Sequence, residues 1–449
     1  MKISSKIAMI GAGITGLVTA YTLQKQGFEC EVFEKNSLPG GAIKTVSNGT
    51  WQVEYGPNTM LLKDKVVKEF LEETGIFNHK VTANTTAEKR YILKNGRLEA
   101  LPGSATGAVK TPLFSLKGKF RVLAEPFITK SKNPDQTVAE FTQRRLGQEV
   151  LDYAINPFVA GIFANSPDSL SLRHAFPMMH NLEQEYGSLI WGSFAGSKKR
   201  KESGRIKREL ISFRDGIGQL PTTLASKLET VHLNTEIASV EKKLDGWHLI
   251  SEKEQFGPFD SVVLNTPLYK WNTELLSIEK EQMKKIQSVY YPPLSVFCLG
   301  FRKDQVSHPL DGFGFLVPEK ENRSILGALF SSTLFQKRAP AGHHLLTVFV
   351  GGGRQPKLAT LETEKLLPIV LDELRDIIGS EGEPAFIDHI YWPKSIPAYH
   401  VGYDEILQVF DAIENQNPGL YLAGNYRHGI SVPDCILNGL KLADRVAAS

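Results

Sequence analysis

Cysteine is scarce in this chain: three in 449 residues, Cys30, Cys298 and Cys435, far apart and without a CxxC spacing. That argues against a zinc-thiolate centre and a disulfide framework, and fits a reducing cytosol. The eleven histidines show no paired metal spacing except His343-His344, whose side chains diverge on a strand, so no metal is expected. Long hydrophobic runs are missing as well. None approaches the roughly 20 residues of a spanning helix, so any membrane contact should be peripheral. A surplus of one charge is absent too, since 52 lysines and arginines against 49 aspartates and glutamates leave +3. That is too little to make nucleic acid the main partner. No basic segment with a cleavable apolar stretch precedes Ile7-Ala8-Met9-Ile10, so the sequence predicts a cytoplasmic protein, at most peripheral on the inner face of the cell membrane.

What is present is ordinary globular material, 41% hydrophobic and 22% charged, on a chain long enough for two or three domains. Residues 6–10 read as a strand, 11–16 as a glycine-rich turn, 14–26 as a helix stopped by Gly27, and 29–34 as a second strand. This βαβ order opens a parallel doubly wound sheet, giving an α/β fold class with mixed α+β parts. A hairpin follows around the turn Lys94-Asn95-Gly96. Residues 109–205 read as mainly helical, with helices at 137–145, 148–154 and 178–190. Strand alternation returns at 231–233, 237–241, 247–250 and 261–265, so the nucleotide domain is discontinuous. Segments 294–301, 313–317, 324–330 and 344–351 read as a second sheet, with a helix near 362–378.

The chemistry starts at Gly11-Ala12-Gly13-Ile14-Thr15-Gly16. The first glycine allows the turn, the second lets backbone approach a pyrophosphate, and the third permits close packing, while the helix start offers free N–H groups. Glu34 ends the second strand, placed to accept hydrogen bonds from an adenosine ribose, and its charge disfavours a 2′-phosphate. Further on stand Leu38-Pro39-Gly40-Gly41 and Glu54-Tyr55-Gly56-Pro57-Asn58. Together these resemble the flavin amine oxidase and protoporphyrinogen oxidase superfamily, and so imply FAD. The family usually has an arginine before the double glycine, where this chain has Leu38-Pro39. At the C-terminus Leu420-Tyr421-Leu422-Ala423-Gly424-Asn425 reads as a strand and turn, and Gly429-Ile430-Ser431-Val432-Pro433 leads into a helix whose first turn suits a proline. In the superfamily that helix points its N-terminus at the flavin.

The resemblance to protoporphyrinogen oxidases extends through Asn156-Pro157-Phe158-Val159-Ala160-Gly161-Ile162-Phe163-Ala164, Asp168-Ser169-Leu170-Ser171, Phe213-Arg214-Asp215-Gly216-Ile217, Ile396-Pro397-Ala398-Tyr399 and 422–435. It implies an FAD-binding domain over 1–84, 212–280 and 385–449, a substrate domain over 85–108 and 281–384, and a helical membrane-association domain over 109–211. It implies FAD contacts at Gly11, Gly13, Ile14, Thr15, Gly16, Glu34, Lys35, Gly40, Gly41, Gly56, Pro57, Asn58, Thr59, Ile237, Gly424, Asn425, Ile430, Ser431 and Val432. For the substrate it implies Arg90 opposite a propionate, Leu316 and Leu329 against the macrocycle, Phe349 stacking, and Asn58 and Gly161 nearby. By composition alone Arg90 reads as a surface arginine and the apolar three as core. No catalytic side chain is needed, because the flavin carries the hydride chemistry.

The implied reaction takes protoporphyrinogen IX to protoporphyrin IX in haem synthesis, with dioxygen as acceptor and hydrogen peroxide as product. Coproporphyrinogen III is the nearest rival substrate. An amine oxidase typically carries an acidic residue where this chain has Asn425, and a non-catalytic flavin or haem carrier could use the same pocket. Lys198-Lys199-Arg200-Lys201 with Arg205, Lys207 and Arg208 reads as a solvated loop or as an anionic-lipid contact. A homodimer is a further expectation.

Overall fold

The computed structural model describes residues 5–202 and 205–449, with side chains described for all of these except 105, 197–202 and 205. Five parallel strands form the first sheet in the order Thr230–His232, Glu29–Phe33, Lys6–Ile10, Ser261–Leu264, Leu420–Leu422. Alternation divides each strand between two cores. Ile7 and Met9 join Val263 and Tyr421 under the helices Ile14–Lys25 and Val432–Ala447. Ala8, Ile10, Val262 and Leu264 meet Trp247, Leu249, Phe410 and Ile413 on the other face. Both faces are therefore covered, as a parallel sheet requires. The strand order reverses at Lys6–Ile10, so the crevice at its carboxyl end is where a doubly wound sheet takes its ligand.

The second sheet has seven strands: Phe386–Trp392, Leu294–Arg302, His343–Gly351, Ile325–Leu329, Gly314–Leu316, Arg90–Lys94, Arg97–Ala100. Only the pairing of Gly314–Leu316 with Arg90–Lys94 is parallel. One face buries Phe297, Leu299, Phe315, Leu346, Val348 and Val350 against Leu366, Val370 and Leu374 of the helix Thr363–Ile378. The opposite face carries the substrate candidates.

Three segments differ in detail from the expectations. The helix expected at 178–190 is two helices, Pro177–Tyr186 and Leu189–Glu202, parted where Gly187 takes a left-handed φ of 69°. The one expected at 148–154 is wound as a π-turn over Leu151–Ile155. Residues 386–392, within the segment expected to belong to the nucleotide domain, pair along Gly300 to Leu294 as an edge of the seven-stranded sheet. Their alternating pattern was masked by charged and polar residues on an edge strand. At the end of the helical region, Arg205–Phe213 pairs with Met60–Asp64 and Lys80–Thr82.

Candidate active site

The glycine turn sits where the sheet order reverses. Gly11 has φ of 94°, and a Cβ there would lie 2.8 Å from the Asn265 carbonyl oxygen; one on Gly16 would lie 2.6 Å from Asn265 Nδ2. Glycine is thus demanded by close approach as well as by conformation. Asn265 follows the neighbouring strand and donates from Nδ2 to the carbonyls of Gly11 and Gly13, at 3.1 and 3.3 Å. Nothing local in the sequence marks Asn265, because its partners lie more than 250 residues away. The helix Ile14–Lys25 begins at Gly13 without a side-chain cap, so the first-turn N–H groups at Ile14, Thr15 and Gly16 remain for an anion. The double glycine returns to this turn: Gly40 donates to Ala12 O at 2.8 Å and bridges Gly13, and the space beside Gly41 is open, its nearest neighbour Gly13 Cα at 3.9 Å.

Glu34 is buried and accepts from Ala12 N through Oε2 and from Asn36 N and Nδ2 through Oε1. These contacts fix the carboxylate while Oε2 keeps a lone pair for a hydroxyl. Lys35 lies 4.0 Å from Glu236, and Thr235 N bonds Glu34 O, which brings Ile237 to the same end of the sheet. The glycine cradle, the uncapped helix and the fixed carboxylate fit a dinucleotide.

At the other end, Ser431 caps the helix Val432–Ala447 through Asp434 N, with Pro433 in its first turn. This helix packs on the first one so closely that a Cβ on Gly439 would lie 2.7 Å from Thr15 O. The turn carrying Gly424, Asn425 and Ile430 is braced by Tyr399, whose hydroxyl donates to Asn425 O and accepts from Gly429 N. Burial holds the Tyr399 hydroxyl well above its usual pKa, so it serves as a fixed hydrogen-bonding strut. All three thiols are buried, and burial pushes each up to about 12, which leaves none as a nucleophile at neutral pH.

The register of the seven-stranded sheet sets Arg90 opposite Gly314, Leu316 opposite Gly327, and Gly327 opposite Phe349, while Leu329 faces Gly314. Arg90, Leu316, Leu329 and Phe349 therefore share one face. The two glycines between them leave that face flat. The helix Asn156–Phe163 crosses it so near that a Cβ on Gly161 would lie 2.8 Å from Leu316 Cδ2. Segment 51–58 docks on the same face, with Trp392 Nε1 donating to Tyr55 O and Tyr55 donating to Asp388, both at 2.9 Å. Gly56 and Pro57 lie on this segment, and Gly56 is obligatory because a Cβ would overlap Ala42 O. Thr59 follows them. Asn58 borders a small internal cavity with Thr347, Ser331, Glu54 and Arg338.

Glu54 and Arg338 form a pair that the sequence did not reveal, 3.4 Å apart and both nearly inaccessible. Burial raises the Glu54 carboxyl pKa and lowers that of Arg338, while Glu54 also accepts from Ile217 N and Thr45 Oγ1. The pair locks segment 51–58 to 212–218. Arg90 itself is exposed, stacked 5.2 Å over the Phe313 ring, and no carboxylate of the described residues pairs with it. It borders an open cavity of about 470 Å³ with Glu88, Leu101, Phe114, Val122 and Val150.

The family model of the flavin containing amine oxidoreductases matches residues 14–447. The chain is 36% identical to protoporphyrinogen oxidase 2, chloroplastic/mitochondrial, of Arabidopsis thaliana, over 98% of this chain and 93% of that protein. To the mitochondrial protoporphyrinogen oxidase of Nicotiana tabacum it is 35% identical, over 99% and 95%. Coproporphyrinogen III oxidase of Bacillus subtilis is 29% identical, with 96% of each covered. A crystal structure from Exiguobacterium sp. 255-15 superposes over 99% of both chains with a TM-score of 0.84 at 24% identity, and reduced UDP-galactopyranose mutase over 99% and 96% with 0.76 at 15%; these speak for the fold. The glycine cradle, the docked sheet face and these full-length likenesses agree: the chain belongs to the flavin containing amine oxidoreductase family, as an oxidoreductase of the protoporphyrinogen oxidase kind.

Proposed function

We propose that this chain binds FAD and oxidises protoporphyrinogen IX to protoporphyrin IX. The observation that carries the reading is the sheet face on which Arg90, Leu316, Leu329 and Phe349 lie together, docked against segment 51–58 of the nucleotide part. A flat tetrapyrrole with carboxylate tails needs aliphatic and aromatic walls and one guanidinium, and that face offers them. When bound, FAD would supply the acceptor for successive hydrides, with dioxygen as the electron acceptor and hydrogen peroxide as the product. Arg90 would hold a propionate, Leu316 and Leu329 flank the ring, Phe349 stack on it, and Asn58 and Gly161 shape the wall. The ribose is held by Glu34, the pyrophosphate by the turn at 11–16, and the flavin end by 40–41, 56–59 and 424–432, with Ile237 near the adenosine.

Coproporphyrinogen III is the second reading, favoured by the full-length likeness to the Bacillus subtilis enzyme. The division into an FAD domain, a substrate domain and a helical domain belongs to the same proposal, the edge strand at 386–392 going with the substrate sheet.

Peripheral membrane contact has a physical basis in the helical region. Leu116, Phe120, Leu123, Phe127, Trp191 and Phe194 are exposed to between 61 and 86%, and a concentration of large apolar side chains on a surface marks a binding face. The basic residues at 198–201 and Arg205 lie outside the described side chains; Lys207 and Arg208 are exposed. Among the described residues no helix is long and apolar enough to cross a membrane. The homodimer remains a proposal, tested by light scattering.

Anaerobic mixing of the flavin-loaded protein with protoporphyrinogen IX tests the reading. Bleaching of the flavin absorbance, followed by porphyrin fluorescence once air is admitted, supports it, and an unchanged flavin spectrum would remove it.

A further inference from the structure

The helix Asn156–Phe163 meets the sheet face at a glycine, Gly161 against Leu316, and Phe349 packs on the apolar cluster that holds Ala160 and Ala164 of the same segment. Side chains this small let the helix come close but give few ridges to lock it against sliding or turning. No side chain caps its start, which runs on from the π-turn at Leu151–Ile155. The helix is instead gripped at both ends by one loop, Gly351-Gly352-Gly353-Arg354, which continues the strand of Phe349. At the far end Gly353 N donates to Ala164 O at 2.7 Å. Glycine is needed there, because a Cβ on Gly352 would lie 2.4 Å from Ala164 O and one on Gly353 2.2 Å from Asn165 Oδ1. At the near end Arg354 Nη2 donates to the carbonyl of Asn156 at 3.0 Å and to its Oδ1 at 2.6 Å. Its Nη1 donates to Val317 O at 2.7 Å, on the residue directly after Leu316.

The Arg354 side chain is only 6% exposed, and Glu319, the carboxylate that faces it, stays 3.9 Å away. Glu319 is engaged with Asn156 instead, accepting from Nδ2 at 3.0 Å while Glu319 N donates to Asn156 Oδ1 at 3.0 Å. Burying a guanidinium is costly unless its donors are satisfied, and here the helix start and the strand of Leu316 satisfy them together. We propose that Arg354 is a positioning residue for the proposed substrate face: it ties the start of the helix Asn156–Phe163 to the strand Gly314–Leu316 and so sets how Gly161 lies over Leu316. The inference rests on the oxidation proposed above and adds to it a residue that touches no substrate. Arg354 acts through Asn156 and Val317, and its planar fork reaches three acceptors at once, which an ammonium does not.

The test uses the full-length flavin-loaded protein and reads KM and kcat for protoporphyrinogen IX, together with the Kd of protoporphyrin IX from quenching of tryptophan fluorescence. Arg354→Gln should keep its flavin and raise KM and Kd about fivefold, the scale of one hydrogen bond, with kcat within about twofold of wild type. Arg354→Lys should recover part of the loss. Leu316→Ala should raise KM in wild type and add less than that in Arg354→Gln, because residues acting through one contact are not additive. Arg145→Ala, a buried arginine away from this face, should lower the melting temperature and leave KM and Kd alone. Should Arg354→Gln not fold, Asn156→Ala removes the Oδ1 acceptor and is judged by the same readouts. A lower melting temperature with unchanged KM and Kd, or full additivity with Leu316→Ala, makes Arg354 ordinary support of the fold and overturns the proposal while the oxidation stands. If wild type turns over no porphyrinogen, the oxidation reading falls and the porphyrin Kd alone decides the role of Arg354.

Discussion

At residues 11–16 the proposed ligand site is made of backbone, whereas the face with Arg90, Leu316, Leu329 and Phe349 is made of side chains from four strands drawn from distant parts of the chain. The first depends on the absence of side chains: Gly11 and Gly16 have no room for a Cβ. The second depends on what the side chains are, and its glycines, Gly314 and Gly327, only clear the space between them. Damage to the two should differ in kind. The cradle should fail outright when filled, and the face should lose affinity by degrees.

Filling the cradle should give the largest effect. Gly13→Glu places a side chain where Asn265 Nδ2 would lie 3.0 Å from its Cβ and across the pyrophosphate path. The purified variant should lack flavin absorbance; stoichiometric flavin in it would break the comparison at its stronger side.

The helical region offers an internal control that touches neither half. Arg145 is fully buried, with Nη1 2.6 Å from Glu125 and Nε 2.6 Å from Glu183. Arg145→Ala leaves two carboxylates without this partner and should cost about 3–5 kcal/mol, read from denaturant melts. Burial alone would raise both carboxyls, but bonds from Ser188 and the backbone of Leu189 and Ile190 to Glu125, and from Arg145 and Arg144 to Glu183, hold them below the usual range. Their stabilisation is therefore complete above about pH 4.3 and is lost as pH falls below it. Melts from pH 7 to 3 should show that loss in wild type and a smaller one in Arg145→Ala.

A smaller effect is expected on the proposed substrate face. Arg90→Ala should keep the flavin and raise KM, and because Arg90 is exposed the loss should sit at the low end for a charged hydrogen bond, about 1.5 kcal/mol or roughly tenfold in kcat/KM. Arg90→Lys should recover part, since an ammonium keeps the charge and loses the planar fork. The smallest change should come from Phe120→Ser with Phe127→Ser, which remove exposed apolar surface. Vesicle flotation should weaken while turnover of detergent-dispersed substrate stays the same.

How far the sequence shows each region follows from the same contrast. The turn at 11–16 is legible because strand, glycines and helix are contiguous, and the helix Val432–Ala447 because Ser431 and Pro433 announce it. Glu54 stands in a visible motif, yet its partner Arg338 lies in Phe335-Gln336-Lys337-Arg338, which has no periodicity or motif to mark it. Arg145 reads as an ordinary charged residue closing a helix, and only the packing of Glu125 and Glu183 around it makes it core. Arg90 and Leu316 reach one face through a parallel pairing across more than 200 residues. Without the family likeness, nothing local distinguishes them from surface and core. The hairpin Thr45–Asn48 with Trp51–Glu54 and the helix Tyr403–Gln416 have no counterpart in the expectations. The hairpin's strands are only four residues each, too short for alternation to declare itself.

We propose that a flavin-loaded cradle serves a face built for one porphyrinogen. It is tested most directly by turnover of protoporphyrinogen IX and coproporphyrinogen III side by side, followed by porphyrin fluorescence in the same preparation of wild type and Arg90→Ala. Wild type should oxidise protoporphyrinogen IX faster than coproporphyrinogen III, and Arg90→Ala should show a raised KM at equal flavin content. Equal turnover by wild type and variant with either substrate would contradict it.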